Sequence, residues 1–352
     1  MAPSISESRT PSSPTSKNGD GGPVVSTSNS ASTSQQQHQS LYKIASIPGK
    51  GKSLIALQKI TPGTLILSEA PLITTDVILS GETIESDLAR ALKSLPRDSQ
   101  RAFLSLHNNY PGQGTPLQNI IRSNGYPLGA SSDVGGVFEN ISRINHSCLP
   151  NAVHSWNASR GQETVYAVRD INEGEEVTLS YLAGGPSSSR KAQLKDNFGF
   201  ECRCELCSLP SKLLQASDAR LIRAANLDAT IGDSQTVKNS PGKVLKNCKN
   251  LSRIFAEEGV RDDRLSRLWY DCFQVCNFHS DEARASVFLG RYCDVKRISA
   301  GVDGTDVSEM EGFVGRPRSH DSFGLRSGWK SEVGDVPREL GEAEFEKWLW
   351  RE

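Results

Sequence analysis

The chain has no cysteine before Cys148, no apolar run approaching a membrane span, and no surplus of either charge. Each absence excludes something. A helix needs about 20 mostly apolar residues to cross a bilayer, and an N-terminus without an apolar stretch is not a secretory signal. An intracellular protein, nuclear or cytoplasmic, is therefore expected, with no membrane association and its eight cysteines mostly reduced. Forty basic against 41 acidic residues give a net charge of −1, which removes any argument from a basic surface to direct nucleic-acid binding. Residues 1–40 are Ser, Thr, Gln, Pro and Gly with almost no large apolar side chain. Nothing there can offset the entropy of ordering, so a disordered tail is expected.

The other 312 positions of the 352-residue chain suit one large domain with an appendage, or two domains. From Leu41, short Ile- and Leu-rich runs alternate with Pro48-Gly49 and Pro62-Gly63, the pattern of short strands joined by turns. The period changes at Ile84. Ile84, Leu88, Leu92 and Leu95 recur at helical spacing up to Pro96, and Phe103, Leu104 and Leu106 follow, predicting two helices inserted between strands over about 80–125. "VYAVRDINEGEEVTLSY" (Val165 to Tyr181) reads as strand, Asn-Glu-Gly turn, strand, and Ser189 to Asn197 as a short helix. Beyond Pro210, Val244, Leu245, Cys248, Leu251, Ile254 and Phe255 repeat on one face, as do Leu265, Leu268, Trp269, Cys272 and Cys276. These predict amphipathic helices within a helical region over 211–300. Cys272 and Cys276, at i and i+4, could chelate a metal; packing in a helix seam is preferred, because no His or third Cys lies nearby at ligand spacing. After Gly301 periodicity is lost until "EAEFEKWLWRE", so a flexible tail over 301–352 is expected, with one terminal helical turn. Trp348 and Trp350 could there anchor a partner or dock back on the body.

Chemistry concentrates between Arg143 and Cys207. Three segments carry it: "RINHSCLPN" (Arg143 to Asn151), "GEEVTLSY" (Gly174 to Tyr181) and "FGFECRCELC" (Phe198 to Cys207). Cys202, Cys204 and Cys207 form C-x-C-x-x-C, a spacing that directs three thiolates at one ion, and tetrahedral zinc wants four. Cys148, in a polar turn, is the candidate fourth ligand, since the remaining cysteines lie in apolar periodic sequence downstream. The plainer alternative is four reduced thiols with no shared role.

In this order the three segments resemble the catalytic core and post-SET segment of SET-domain lysine methyltransferases, and most of all the SET-and-MYND branch with its fungal relatives. The resemblance covers Leu41 to Pro210 well, the helical region loosely, and nothing beyond Ala300. It implies an α+β fold: a SET domain of short β-strands with a pseudo-knot over 41–210, a helical insert, a post-SET zinc site over 198–210 and a C-terminal helical region. The cysteine-rich MYND module has no counterpart, because no cysteine precedes Cys148. The implied activity is methyl transfer from S-adenosylmethionine to a lysine side chain of a protein substrate, histone or otherwise, by a monomer.

The family's site residues map onto this chain as expectations. "GKGKSLIA" would be the first cofactor loop, through Lys50, Gly51 and Lys52, with Ser53 where the family usually has a second glycine. Asn145 and His146 would meet the adenine edge and amino-acid end of the cofactor, or else merely brace the loop. Phe200 would stack on adenine, and Asn124 is a further possible contact, although an Asn-Gly turn is its commoner meaning. Tyr181 would stand at the channel junction as the catalytic residue, against the plain reading of a strand tyrosine with its ring in the core. Two rivals accompany this reading: a catalytically inactive, zinc-binding SET-like scaffold, favoured by Ser53, and a purely structural zinc module.

Overall fold

The structure, a computed structural model, describes residues 40–130 and 132–352. The tail expected over 1–40 lies outside the described residues except for Ser40. In chain order the elements are β1 (Tyr42–Ile47), β2 (Gly51–Ala56), β3 (Leu65–Glu69), β4 (Ile73–Thr74), α1 (Ile84–Ser94), α2 (Arg97–Leu104), α3 (Pro116–Asn124), β5 (Tyr126–Pro127) and β6 (Gly135–Val137). Then come β7 (Asn145–His146), β8 (Ala152–Asn157), β9 (Gln162–Ala167), β10 (Thr178–Leu179) and α4 (Ser187–Phe198). The helical part follows as α5 (Ser211–Ile231), α6 (Ser234–Asn239), α7 (Pro241–Glu258), α8 (Asp263–Phe278), α9 (Glu282–Ala300), α10 (Thr305–Val314) and α11 (Glu342–Leu349).

The strands make several small sheets: the β1–β2 hairpin turning at Pro48-Gly49, the antiparallel sheets β3-β9-β8 and β4-β6-β5, and a parallel pair of β7 and β10. Short strands interrupted by turns cannot build one wide sheet, so their apolar faces meet in a shared core. Leu54, Phe138, Ile141, Ile144, Val165, Ile171 and Val177 are fully buried in it. The insert closes its own smaller core around Leu88, Phe103 and Ile120. In the helical part Val244, Leu245, Cys248, Leu268, Cys272, Cys276 and Phe288 pack together, so Cys272 and Cys276 sit in a helix seam.

Local expectations and structure part in three places. The insert holds a third helix, α3, started by Pro116 at its first turn. Asn124 ends that helix and is buried, its amide donating to the His107 and Ile120 carbonyls at 2.7 Å each, so its amide nitrogen braces the insert. The two strands of Val165 to Tyr181 do not pair with each other. Between them, Gly174 to Val177 bonds to β2 through Ala56 N–H to Glu175 O, Gly174 N–H to Ala56 O and Val177 N–H to Leu54 O, and β10 then runs on to β7.

The third difference is the segment over 301–352, which is packed and carries α10 and α11. Val307, Met310, Leu349 and Trp350 are buried. Trp350 lies against Trp269 and Phe288, with ring centroids 6.1 and 5.1 Å away, and Arg351 pairs with the buried Asp281 at 2.8 Å. The anchors fall in two short helices, Val307 with Met310 and Leu349 with Trp350, too short to stand out in the windows of about 11–18 residues over which periodicity is read.

The junction between the strands and this last segment turns on Gly301, at φ +78°, where a Cβ would collide with the Tyr166 phenol. Gly301→Ala is expected to cost about 2–3 kcal/mol from the left-handed backbone and the clash. Urea denaturation should show a lower midpoint, with part of the loss restored by Tyr166→Phe. A midpoint equal to that of the unaltered chain would rule out so close an approach.

Candidate active site and cysteine cluster

Two residues of parallel pairing build the site. Asn145 lies opposite Thr178 and His146 opposite Leu179, and Ser147 N–H continues the ladder to Leu179 O at 2.9 Å. Asn151, 1% exposed, locks the same crossing: its amide donates to Glu176 O at 2.8 Å while its oxygen accepts Thr178 N–H at 2.8 Å. The "NHSCLPN" and "GEEVTLSY" segments are thereby fixed to each other, although about 30 residues separate them.

Tyr181 follows directly from β10. Its phenol donates to Ile144 O at 2.6 Å and its backbone N–H donates to His146 Nδ1 at 3.0 Å. That second bond decides the imidazole tautomer: Nδ1 accepts, so the proton of the neutral ring sits on Nε2, 3.3 Å from Cys148 Sγ. Burial is the main reason the His146 pKa falls to about 4, so the ring is neutral at physiological pH. Burial first, and then the Glu176 charge, raise the Tyr181 phenol, which keeps its proton. A second phenol, Tyr126, points to the neighbouring carbonyl of Ile141 at 3.4 Å and is also raised by burial, then by Tyr181 and Glu163. The turn of Ile141 to Ile144 thus has carbonyls facing two protonated phenols.

Aromatic rings surround this point. The His146 ring centroid lies 5.2 Å from Tyr181 and 6.3 Å from Phe200, and Tyr181 lies 5.0 Å from Phe198. Gly199, at φ +73°, ends α4 and lets the chain reverse between the two phenylalanines into the cysteine segment.

All four cysteine sulfurs lie within 4.8 Å of one another. Cys148 Sγ is 3.9 Å from that of Cys202 and 3.6 Å from that of Cys207. An ion about 2.3 Å from four tetrahedral sulfurs would separate them by about 3.8 Å, so the donor set has the spacing of a metal centre and not of disulfides. Hydrogen bonding from Cys148 is the main cause pulling the Cys207 thiol down to about 6. Arg190 makes the same case from the other side. It is 1% exposed, donates through Nη1 to Gly185 O and through Nη2 to Cys207 Sγ at 3.6 Å, and pairs with no carboxylate among the described residues. A buried guanidinium needs a counter-charge, and thiolate sulfur is what lies beside it.

The loop expected to hold cofactor is the β1–β2 turn. Gly51 there has φ +77°, as close backbone turns require, while Lys52 is exposed and makes no side-chain hydrogen bond among the described residues. Lys50 Nζ reaches Glu176 at 2.6 Å, Ser53 Oγ reaches it at 2.7 Å and Asn145 Nδ2 at 2.8 Å. So Lys50, Asn145, His146, Tyr181, Phe200 and the four cysteines gather in one region, and Lys52 stands apart. Sequence reasoning overlooked Tyr126, Glu176 and Arg190. Glu176 lay inside a motif already singled out; Tyr126 and Arg190 had no local signal, because only packing makes them neighbours of the site.

The His146 assignment is open to measurement. Nitrogen-15 NMR should place its proton on Nε2 at neutral pH, with Nδ1 bare and no protonation until well below the ordinary value of about 6.5. Because the folded pKa is lowered, this group's stabilising contribution is full above about 6.5 and declines as pH falls from there towards about 4. An imidazole titrating near 6.5 would overturn the assignment.

Residues 51–182 match the family described as SET domain. Over 284 residues the chain is 34% identical to the histone-lysine N-methyltransferase set5 of Schizosaccharomyces pombe, spanning 80% of this chain and 85% of the relative. It is 27% identical over 203 residues to the N-lysine methyltransferase SMYD2 of Homo sapiens, covering 51% of this chain and 46% of that one. The structure of Rubisco LSMT bound to AdoMet aligns over 89% of this chain and 95% of its own, at 12% identity and a TM-score of 0.35. The matched span contains the crossing of β7 with β10, Tyr181 and Cys148, and most of a complete relative is covered at one identity in three. The chain belongs to the SET-domain family of protein-lysine methyltransferases.

Proposed function

We propose that this chain transfers methyl groups from S-adenosylmethionine to a lysine of a histone, acting in the nucleus, with Tyr181 as the catalytic residue and a zinc ion held by Cys148, Cys202, Cys204 and Cys207. The observation that carries the reading is the Tyr181 phenol, protonated and fixed at the Ile144 carbonyl beside His146. The histone substrate is the one named for set5. We read 41–210 as the catalytic unit and the helices after it as its supporting wall.

Bound cofactor supplies a methyl group on a positively charged sulfur, open to displacement by a nitrogen lone pair. The chain's task is to present that nitrogen uncharged. A lysine amine, with a pKa near ~10.4 in water, is discharged more readily among buried rings, where burial disfavours the ammonium. Tyr126, Tyr181 and the Ile141 and Ile144 carbonyls give such an amine hydrogen-bond partners in a largely apolar surround. Tyr181 keeps its own proton on Ile144 O, leaving the phenol oxygen free to accept an amine N–H. Cys148, Cys202, Cys204 and Cys207 would hold zinc, which would serve as a structural anchor. His146 lies two residues before Cys148 and Phe200 two before Cys202, so gathering the sulfurs gathers the pocket.

Incubating the protein with core histones and a labelled methyl donor tests the activity. Tyr181→Phe should lower incorporation by at least ~100-fold while far-ultraviolet circular dichroism stays unchanged; full activity in that variant would remove Tyr181 from its role. Elemental analysis should find one zinc per chain, lost in Cys148→Ser. Arg190→Gln should release zinc to a chromogenic chelator on the order of 10-fold faster, from loss of one charged hydrogen bond. Unlabelled histones beside labelled proteins in a mixed extract would keep the activity and move the substrate elsewhere.

A further inference from the structure

Glu176 itself bridges Ile55, and the chain passes from β2 to β7 just after it, as Val177 N–H bonds to Leu54 O and Thr178 faces Asn145. Its side chain is mostly buried, at 15% exposure, and gathers three others. Oε1 accepts from Ser53 Oγ at 2.7 Å and Asn145 Nδ2 at 2.8 Å, and Oε2 accepts from Lys50 Nζ at 2.6 Å. A carboxylate paired with a lysine only accepts, so Asn145 must offer its nitrogen and turn its oxygen the other way. No protein group bonds that oxygen among the described residues.

We propose, building on the cofactor reading above, that Glu176 fixes the Asn145 amide so that its oxygen faces the methyl donor as a hydrogen-bond acceptor, with Ser53 and Lys50 holding Glu176 in place. The acceptor suits an N–H of the donor, on its adenine or its amino-acid end. Ser53 is then part of the device and no mark of lost function. Its hydroxyl is fully buried, and Glu176 is its hydrogen-bond partner, so each group satisfies the other. Lys50, with one ammonium hydrogen on Glu176, has two left for a carboxylate. Glu176 and Ser53 are positioning residues: they act through Asn145.

The test is calorimetric titration of the purified full chain with S-adenosylmethionine, beside its thermal unfolding without ligand. Glu176→Gln, whose amide can present the wrong group to Asn145, should weaken binding on the order of 10-fold or more, and Ser53→Ala several-fold, as expected for charged and neutral hydrogen bonds. Ser53→Ala should add little on top of Glu176→Gln, because both act through one carboxylate. The discriminating variant is Glu176→Gln with Asn145→Asp: Gln then donates to Asp, the outward acceptor returns, and affinity should recover above Glu176→Gln alone. A merely structural brace predicts no such recovery. Binding by the unaltered chain with equal affinity in Glu176→Gln and Ser53→Ala would overturn the role of Glu176 and leave the methyltransferase reading standing. No binding by the unaltered, folded chain would overturn both.

Discussion

The arrangement of the candidate site depends on a parallel contact only two residues long. Pairing Asn145 and His146 with Thr178 and Leu179 puts one chain segment beneath another. So short a ladder has little stability of its own, and it persists because side chains on both strands are committed to it. Asn151 bonds across the crossing with both ends of its amide, and Val177 and Leu179 are buried in the strand core. The crossing sets Tyr181 against His146 and Ile144, and it carries Cys148 towards the downstream cysteines.

His146 links two kinds of chemistry in one ring. One nitrogen takes the backbone proton of Tyr181 and the other faces the sulfur of Cys148. One neutral imidazole therefore bridges the sulfur cluster and the backbone of the tyrosine. Arg190 adds positive charge to the same cluster from within the core. If the four sulfurs held a divalent ion as thiolates, the centre would carry net negative charge, and the buried guanidinium would offset half of it at short range.

Much of this was legible in the residues themselves. The cysteine spacing, the Asn-His-Ser-Cys turn and the tyrosine ending "GEEVTLSY" are local patterns, and the structure brings their side chains together. The helical faces around Cys248 and Cys272 follow from periodicity, which survives in sequence because each turn repeats the same contact. Ser53 reads differently once folded: in sequence it stands where a glycine was expected, and beside Glu176 it is a bonded hydroxyl. The segment over 301–352, expected as a flexible tail, is packed, because its two short helices find their partners only once α8 and α9 are there to receive Met310, Leu349 and Trp350.

The sequence by itself determined the chemical inventory: three thiols at ligand spacing with a candidate fourth upstream, a tyrosine, and the turns that would present them, because short-range geometry follows from residue type and order. Tertiary structure alone decided which groups share a charge or a proton. Tyr126 beside Tyr181, Arg190 beside Cys207 and Glu176 among Lys50, Ser53 and Asn145 are contacts between residues far apart along the chain. Such pairings depend on how strands cross and where burial excludes water, and neither is written in any local stretch of residues.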